Sequence, residues 1–218
     1  MKHARTNARL DSVTTTAAAT LALLAAHAAS AAIVSVSGQA SLIGAPPSAV
    51  WGALPGGPAY CWDEQQSVTT SGVNVNLAAN GFYTGPTPNL AAVAGTFDSH
   101  FIHFDASSGV ANAQGTVVFS SAIVAVIYEN VLLDATDLQF GAPATLYPTT
   151  DPFRSMTAAL MQTQVTITGN TLVFDLWTQN ASMQNRMAAL RVLTDAQVPA
   201  PGAAALLALA GLAVRRRR

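Results

Sequence analysis

Apolar and β-branched runs recur along the middle of this 218-residue chain, and each has the length of a strand rather than of a helix. They fall at residues 33–37, 68–70, 73–77, 97–104, 115–120, 122–128, 163–168, 171–177 and 187–193, punctuated by Gly, Pro and Asn. Gly169-Asn170 separates two alternating runs, which is the pattern of a tight hairpin. Helical candidates are short. Residues 132–138 predict one, with Asp134 or Thr136 near its start, and residues 155–161 another. Gly and Pro cluster at 44–57 and 85–88, which read as surface loops. Many short strands with little helix predict an all-β fold: a single antiparallel β-sandwich or jelly-roll-like domain over residues 32–197.

Composition sharpens that expectation. Only 10% of residues are charged, against roughly a quarter in an average chain, so the exposed faces must be Ser, Thr, Asn and Gln. The basic residues sit mainly at the two ends. Between residues 32 and 197 there is no lysine, and Arg154, Arg186 and Arg191 stand against ten acids, a net charge of −7. Such a surface repels phosphate backbones, so no nucleic acid is expected as a partner. Cys61 is the single cysteine, so no intrachain disulfide is available and the fold must stand on its core; between Tyr60 and Trp62 the thiol is expected to be buried. With so few cations, Arg154 and Arg191 are each expected to meet an acid such as Glu64 or Asp137.

The two ends have a different character. Residues 1–10 are basic and 17–29 are an apolar Ala/Leu run, and Ala29-Ser30-Ala31 has the small-x-small pattern of signal-peptidase cleavage. Residues 1–31 therefore read as a secretory signal helix, cut after Ala31 or within a few residues of it. At the other end Val198, Pro199, Ala200 and Pro201 precede Gly202, an apolar run at 203–214, and the cluster Arg215, Arg216, Arg217 and Arg218. The proline pair stops a strand and sets an extended segment. The run is short for a permanent span, and the arginines would hold its far end in the cytoplasm. The expectation is a transient inner-membrane anchor, cut at the proline segment. A simple tail anchor is the alternative.

This tail, residues 198–218, resembles the PEP-CTERM sorting signal, in which a Val-Pro-Glu-Pro-like motif, a hydrophobic helix and a basic end follow one another. Val198, Pro199 and Pro201 match it, and Ala200 stands where the motif has glutamate. The middle is similar to a recurrent domain of the same proteins at residues 62–66, 98–105, 115–119, 133–137 and 191–194. Where relatives tend to read Arg-Gly-Leu-Glu, this chain has Arg154-Ser155-Met156-Thr157. The resemblance implies export from a bacterium that makes extracellular polysaccharide, with signal peptidase and an exosortase-type membrane transpeptidase as processing partners. It implies delivery to the cell surface, outer membrane or extracellular matrix.

Few residues suggest chemistry. Asp98, His100, His103 and Asp105 offer metal-ligand types within eight residues. On a strand, however, Asp98 and His100 share one face while His103 and Asp105 share the other. Without a bulge they cannot converge on one ion, so the expectation is a central strand with Phe97, Phe101 and Phe104 in the core and the histidines bonded to neighbours. Ser99 beside His100 points the opposite way, which does not suit a serine hydrolase. Asp63 with Glu64, and Asp134 with Asp137, read as solvated or arginine-paired carboxylates. A structural calcium held by loop acids is the one cofactor weighed, although no loop has the Asp-x-Asp spacing of a calcium loop. The sequence thus suggests no catalytic residues and a structural or exopolysaccharide- and biofilm-associated role. A lectin-like module or carbohydrate-active enzyme is the alternative, with Trp51, Tyr60, Trp62, Tyr83 and Tyr147 as aromatic residues that could stack on sugars.

Overall fold

The computed structural model describes residues 32–54, 56–84, 91–105, 110–154, 163–179 and 186–196. The calls on residues 1–31, 85–88, 155–161 and 198–218 fall wholly or almost wholly outside these. The described elements are β1 (Ile33–Gly38), β2 (Ala40–Leu42), β3 (Ala59–Asp63), β4 (Val68–Val75), β5 (Gly81–Thr84), β6 (Ala91–Asp105), β7 (Val110–Phe119) and β8 (Ile123–Ile127). They are followed by α1 (Asn130–Phe140), β9 (Gln164–Thr168), β10 (Thr171–Gln179) and β11 (Met187–Asp195).

The strands form two sheets packed face to face, an all-β sandwich. One sheet has five strands in the order β1-β7-β10-β9-β5; the other has six, ordered β2-β3-β6-β11-β8, with β4 also on β6. Pairing is antiparallel except between β2 and β3. The expected hairpin is β9–β10, with Thr168 opposite Thr171 and Gly169 at φ 60°. Glycine at that first turn position is what a two-residue II′ loop requires. The two runs at 68–70 and 73–77 are largely one strand, β4, with its register shifted between Thr70 and Val73.

Strand alternation separates two cores. Even-numbered residues of β6 and β11 (Ile102, Phe104, Leu190, Val192) meet Val117, Phe119, Leu172 and Phe174 of the five-stranded sheet. Odd-numbered ones (Phe97, Phe101, Ala189, Leu193) face the other way, onto Trp62, Leu133, Phe140 and Tyr147. The six-stranded sheet is therefore covered on both faces, the second by α1 and the 141–154 segment, and β11 is buried from Met187 to Thr194. This third layer is why β6 from Phe97 onward and β11 are buried on both faces rather than at alternate residues.

Helix α1 is longer than expected at both ends. Its N-cap is Glu129, which makes no side-chain cap bond. Asp134 and Thr136, expected near its start, lie in its interior instead, where their oxygens serve a buried arginine pair. Just ahead of the helix, Asn76 Oδ1 accepts from the backbone N–H of Tyr128 (2.7 Å) and of Glu129 (3.0 Å), which fixes the chain as it enters α1.

Candidate functional site

The residues singled out for metal binding lie on β6, and the pleat distributes them as alternation requires. His100 faces the five-stranded sheet, its ring 4.7 Å from that of Phe119. Its Nδ1 is 2.7 Å from Asp63 Oδ1 and its Nε2 3.1 Å from Thr194 Oγ1. The carboxylate assigns the proton to Nδ1. The same Asp63 oxygen accepts from Ile33 N at 3.0 Å, which ties β1 to the sheet opposite. Asp98 accepts from Ser67 N at 2.6 Å.

On the opposite face His103 is fully buried, and neither ring nitrogen has a partner among the described residues. The expectation that both histidines bond to neighbours therefore holds for His100 and not for His103. Burial, with the Arg154 charge adding to it, pushes the His103 imidazole down to about 3. Its neighbour Asp105 lies 4.0 Å away. Burial pushes that carboxyl up to about 6, against the opposing pull of the Gly52 N–H it accepts and of Arg186. Among the described residues no three of His, Cys, Asp and Glu gather closely enough to hold an ion.

Ser99 Oγ donates to Glu64 Oε2 at 2.7 Å, on the face away from the His100 ring. That bond belongs to a buried polar cluster built around Arg191 and Arg154. Arg191, fully buried on β11, donates Nε to Glu64 Oε2 (2.7 Å) and Nη2 to Glu64 Oε1 (3.0 Å) and Asp137 Oδ1 (3.1 Å). Its Nη1 reaches Thr136 Oγ1 (2.6 Å) and Leu133 O (3.3 Å), so all five donors are used. Burial works against the guanidinium charge, but the Glu64 and Asp137 carboxylates outweigh it and raise the pKa above the ordinary arginine value. Arg154 completes the set, with Nη1 on Asp134 Oδ1 (2.8 Å) and Asp137 Oδ2 (2.7 Å) and Nη2 on Asp137 Oδ1 (3.0 Å).

Tyr147 donates its hydroxyl to Glu64 Oε1 and accepts from Ala142 N at 2.9 Å. Burial and then the Glu64 charge raise its pKa. The Arg191 guanidinium also lies 5.2 Å from the Phe101 ring centroid and 5.4 Å from that of Tyr147. The expected pairing of Arg154 and Arg191 with Glu64 and Asp137 is thus observed, with Asp134, Thr136 and Tyr147 as further members. The network joins Glu64, just past β3, to β6, β11, α1 and the 147–154 segment. Its carboxylates are occupied by protein donors, which makes it a clamp holding α1 on the sheet.

The aromatic side chains expected in loops are mostly structural. Trp62 and Tyr147 are buried, Tyr60 and Tyr83 half-buried, and only Trp51 is exposed, stacked beneath Arg186 at 5.0 Å. Tyr60, Trp62 and Tyr83 lie in strands β3 and β5. Phe82 on β5 stands further into solvent, 62% exposed. Sequence reading passed it over because the four-residue run Gly81–Thr84 has no alternation long enough to mark a strand.

Comparison of the chain with protein-family models, with curated proteins and with solved structures finds no match in any of the three.

Proposed function

We propose that this chain is an exported bacterial protein whose β-sandwich is the cargo. It is sorted through an exosortase-type transpeptidase to the cell surface or matrix, where it acts without catalysis in association with extracellular polysaccharide. One observation carries the reading: three stretches of residues 198–218 follow one another in the order of a sorting signal. They are Val198-Pro199-Ala200-Pro201, the apolar run 203–214, and Arg215 to Arg218.

The chemistry of the sandwich supports export. Cys61 is fully buried, and burial pushes its thiol up to about 12, which keeps it from forming the thiolate that oxidises or exchanges in an oxidising compartment. Just after the proposed signal cleavage, Ala32 is pinned at both its backbone groups, donating to Ser120 Oγ (3.0 Å) and accepting from Ser120 N (3.0 Å). Cutting after Ala31 therefore leaves the first strand anchored.

Cell fractionation of a strain carrying Pro199→Ala together with Pro201→Ala tests the reading. The unaltered protein is expected in the outer envelope or medium, and the variant is expected to accumulate unprocessed at the inner membrane. Identical distribution of the two contradicts the sorting role of the motif.

A further inference from the structure

The outward face of the five-stranded sheet carries a groove of ≈ 410 Å³, within the range of small-ligand sites. Strand register builds it. One row across the sheet is Ser37, Thr116, Val173, Thr166 and Phe82, each opposite the next. The adjacent row is Gln114, Asp175, Gln164 and Thr84. Gly38 and Gly115 face each other on β1 and β7 at one end of the groove.

Three features set the occupant. The lining contains hydroxyls and amides and no cation; its one carboxylate, Asp175, already accepts from Asn112 Nδ2 (3.2 Å) and Gln114 Nε2 (2.9 Å). The second of those bonds orients the Gln114 amide along the row. Phe82 and Val173 stand 62% and 45% exposed beside these polar groups, an apolar surface that the described residues leave open. Finally, residues 32–197 carry three arginines against ten acids, a field that repels anionic polymers.

We propose that this groove binds a segment of neutral polysaccharide. The exposed Phe82 ring would stack on the apolar face of a sugar, with Gln114, Gln164, Thr116 and Thr166 exchanging hydrogen bonds with its hydroxyls. A ring that offers an apolar C–H face and a rim of uncharged donors and acceptors matches both halves of the lining. This rests on the extracellular reading above and gives it a site and a ligand class.

Affinity electrophoresis of the purified full chain, in gels containing dextran, galactomannan or hydroxyethyl cellulose with alginate as the anionic comparison, tests the proposal. At least one neutral polymer is expected to retard the protein while alginate does not. Phe82→Ala and Gln164→Ala, both surface changes, are expected to weaken that retardation roughly five- to tenfold, the scale of a single aromatic or amide contact, with unaltered melting. Retardation by alginate alone, by none of the polymers, or by a neutral polymer with both variants unaffected would each overturn it. So would a dimer on size exclusion that Phe82→Ala dissolves, because the face would then be an interface between copies. Failure here with normal processing of the tail sinks the groove alone; sugar binding by a protein that is never processed or exported sinks the sorting reading alone.

Discussion

Arg191 holds two acids, a hydroxyl and a carbonyl at once from a fully buried position. Removing it strands Glu64 in a dry site. Arg191→Ala is therefore expected to lose roughly 3–5 kcal/mol in urea unfolding, the cost of breaking a buried ion pair by removing one partner. Arg186, partly exposed and 3.5 Å from Asp151, is the control: Arg186→Ala is expected to cost about 1 kcal/mol or less. Equal losses at the two positions would show that the network is not a clamp. His103 and Asp105 give a second test, because their shifts act in opposite directions. The imidazole falls from 6.5 to about 3 on folding, so its contribution is complete above 6.5 and is lost as pH falls toward 3. The Asp105 carboxyl rises from 3.8 to about 6, so its contribution is complete below 3.8 and is lost as pH rises through 6. The histidine shift is the larger, so this corner is expected to weaken on acidification. His103→Leu removes that term, and its stability relative to the parent is expected to rise as pH is lowered from about 7 to about 4.5. A pH-independent difference in urea midpoints would contradict this. The scarcity of cations made the arginine–acid pairing legible in the sequence. Which acids meet which arginine was not, because Arg191 and Glu64 are 127 positions apart and meet only through the β3-β6-β11 order.

At the scale of elements, the strands that could be read are those marked by an apolar or β-branched run, together with the one glycine turn that joins β9 to β10. The unread ones, β2 (Ala40–Leu42), β3 (Ala59–Asp63) and β5 (Gly81–Thr84), are short. Sheet neighbours recruit them where the local sequence carries little signal: β3 is held by four register pairs to β6, and β5 by four to β9. Helix α1 carries its apolar residues toward its two ends, Val131, Leu132 and Leu133 at one and Leu138 and Phe140 at the other, around the polar Asp134, Thr136 and Asp137; its C-terminal end is closed by Gly141 N, which donates to Asp137 O at 3.0 Å. Close approach is a further constraint that composition conceals. A Cβ at Gly115 of β7 would lie 2.7 Å from Phe174 Cζ, 3.0 Å from Ser37 O and 3.1 Å from Ala40 Cβ. Gly115→Ala is therefore expected to destabilise by roughly 1–3 kcal/mol, the cost of overpacking. Thermal or urea unfolding reads this directly, and a neutral effect would mean that β1, β2 and β7 are more loosely stacked than the distances imply.

The whole molecule divides its tasks between layers. The helix side of the six-stranded sheet is closed by the arginine–acid clamp, and the space between the sheets is largely apolar, with His100 bridging Asp63 and Thr194 inside it. The outer face of the five-stranded sheet is left as an amide- and hydroxyl-rich groove. Polar residues without charge were legible in the sequence as the coat of this fold; their convergence on one face was not, since it depends on β7, β10, β9 and β5 standing side by side. The account as a whole rests on the sandwich being a delivered body and the two terminal stretches its address. Intact mass spectrometry of the protein recovered from the cell envelope or culture medium of its native host tests this most directly. The predicted species begins at or near Ala32 and lacks Arg215 to Arg218, whereas recovery of the complete 22.4 kDa chain, with its four terminal arginines attached, would contradict it.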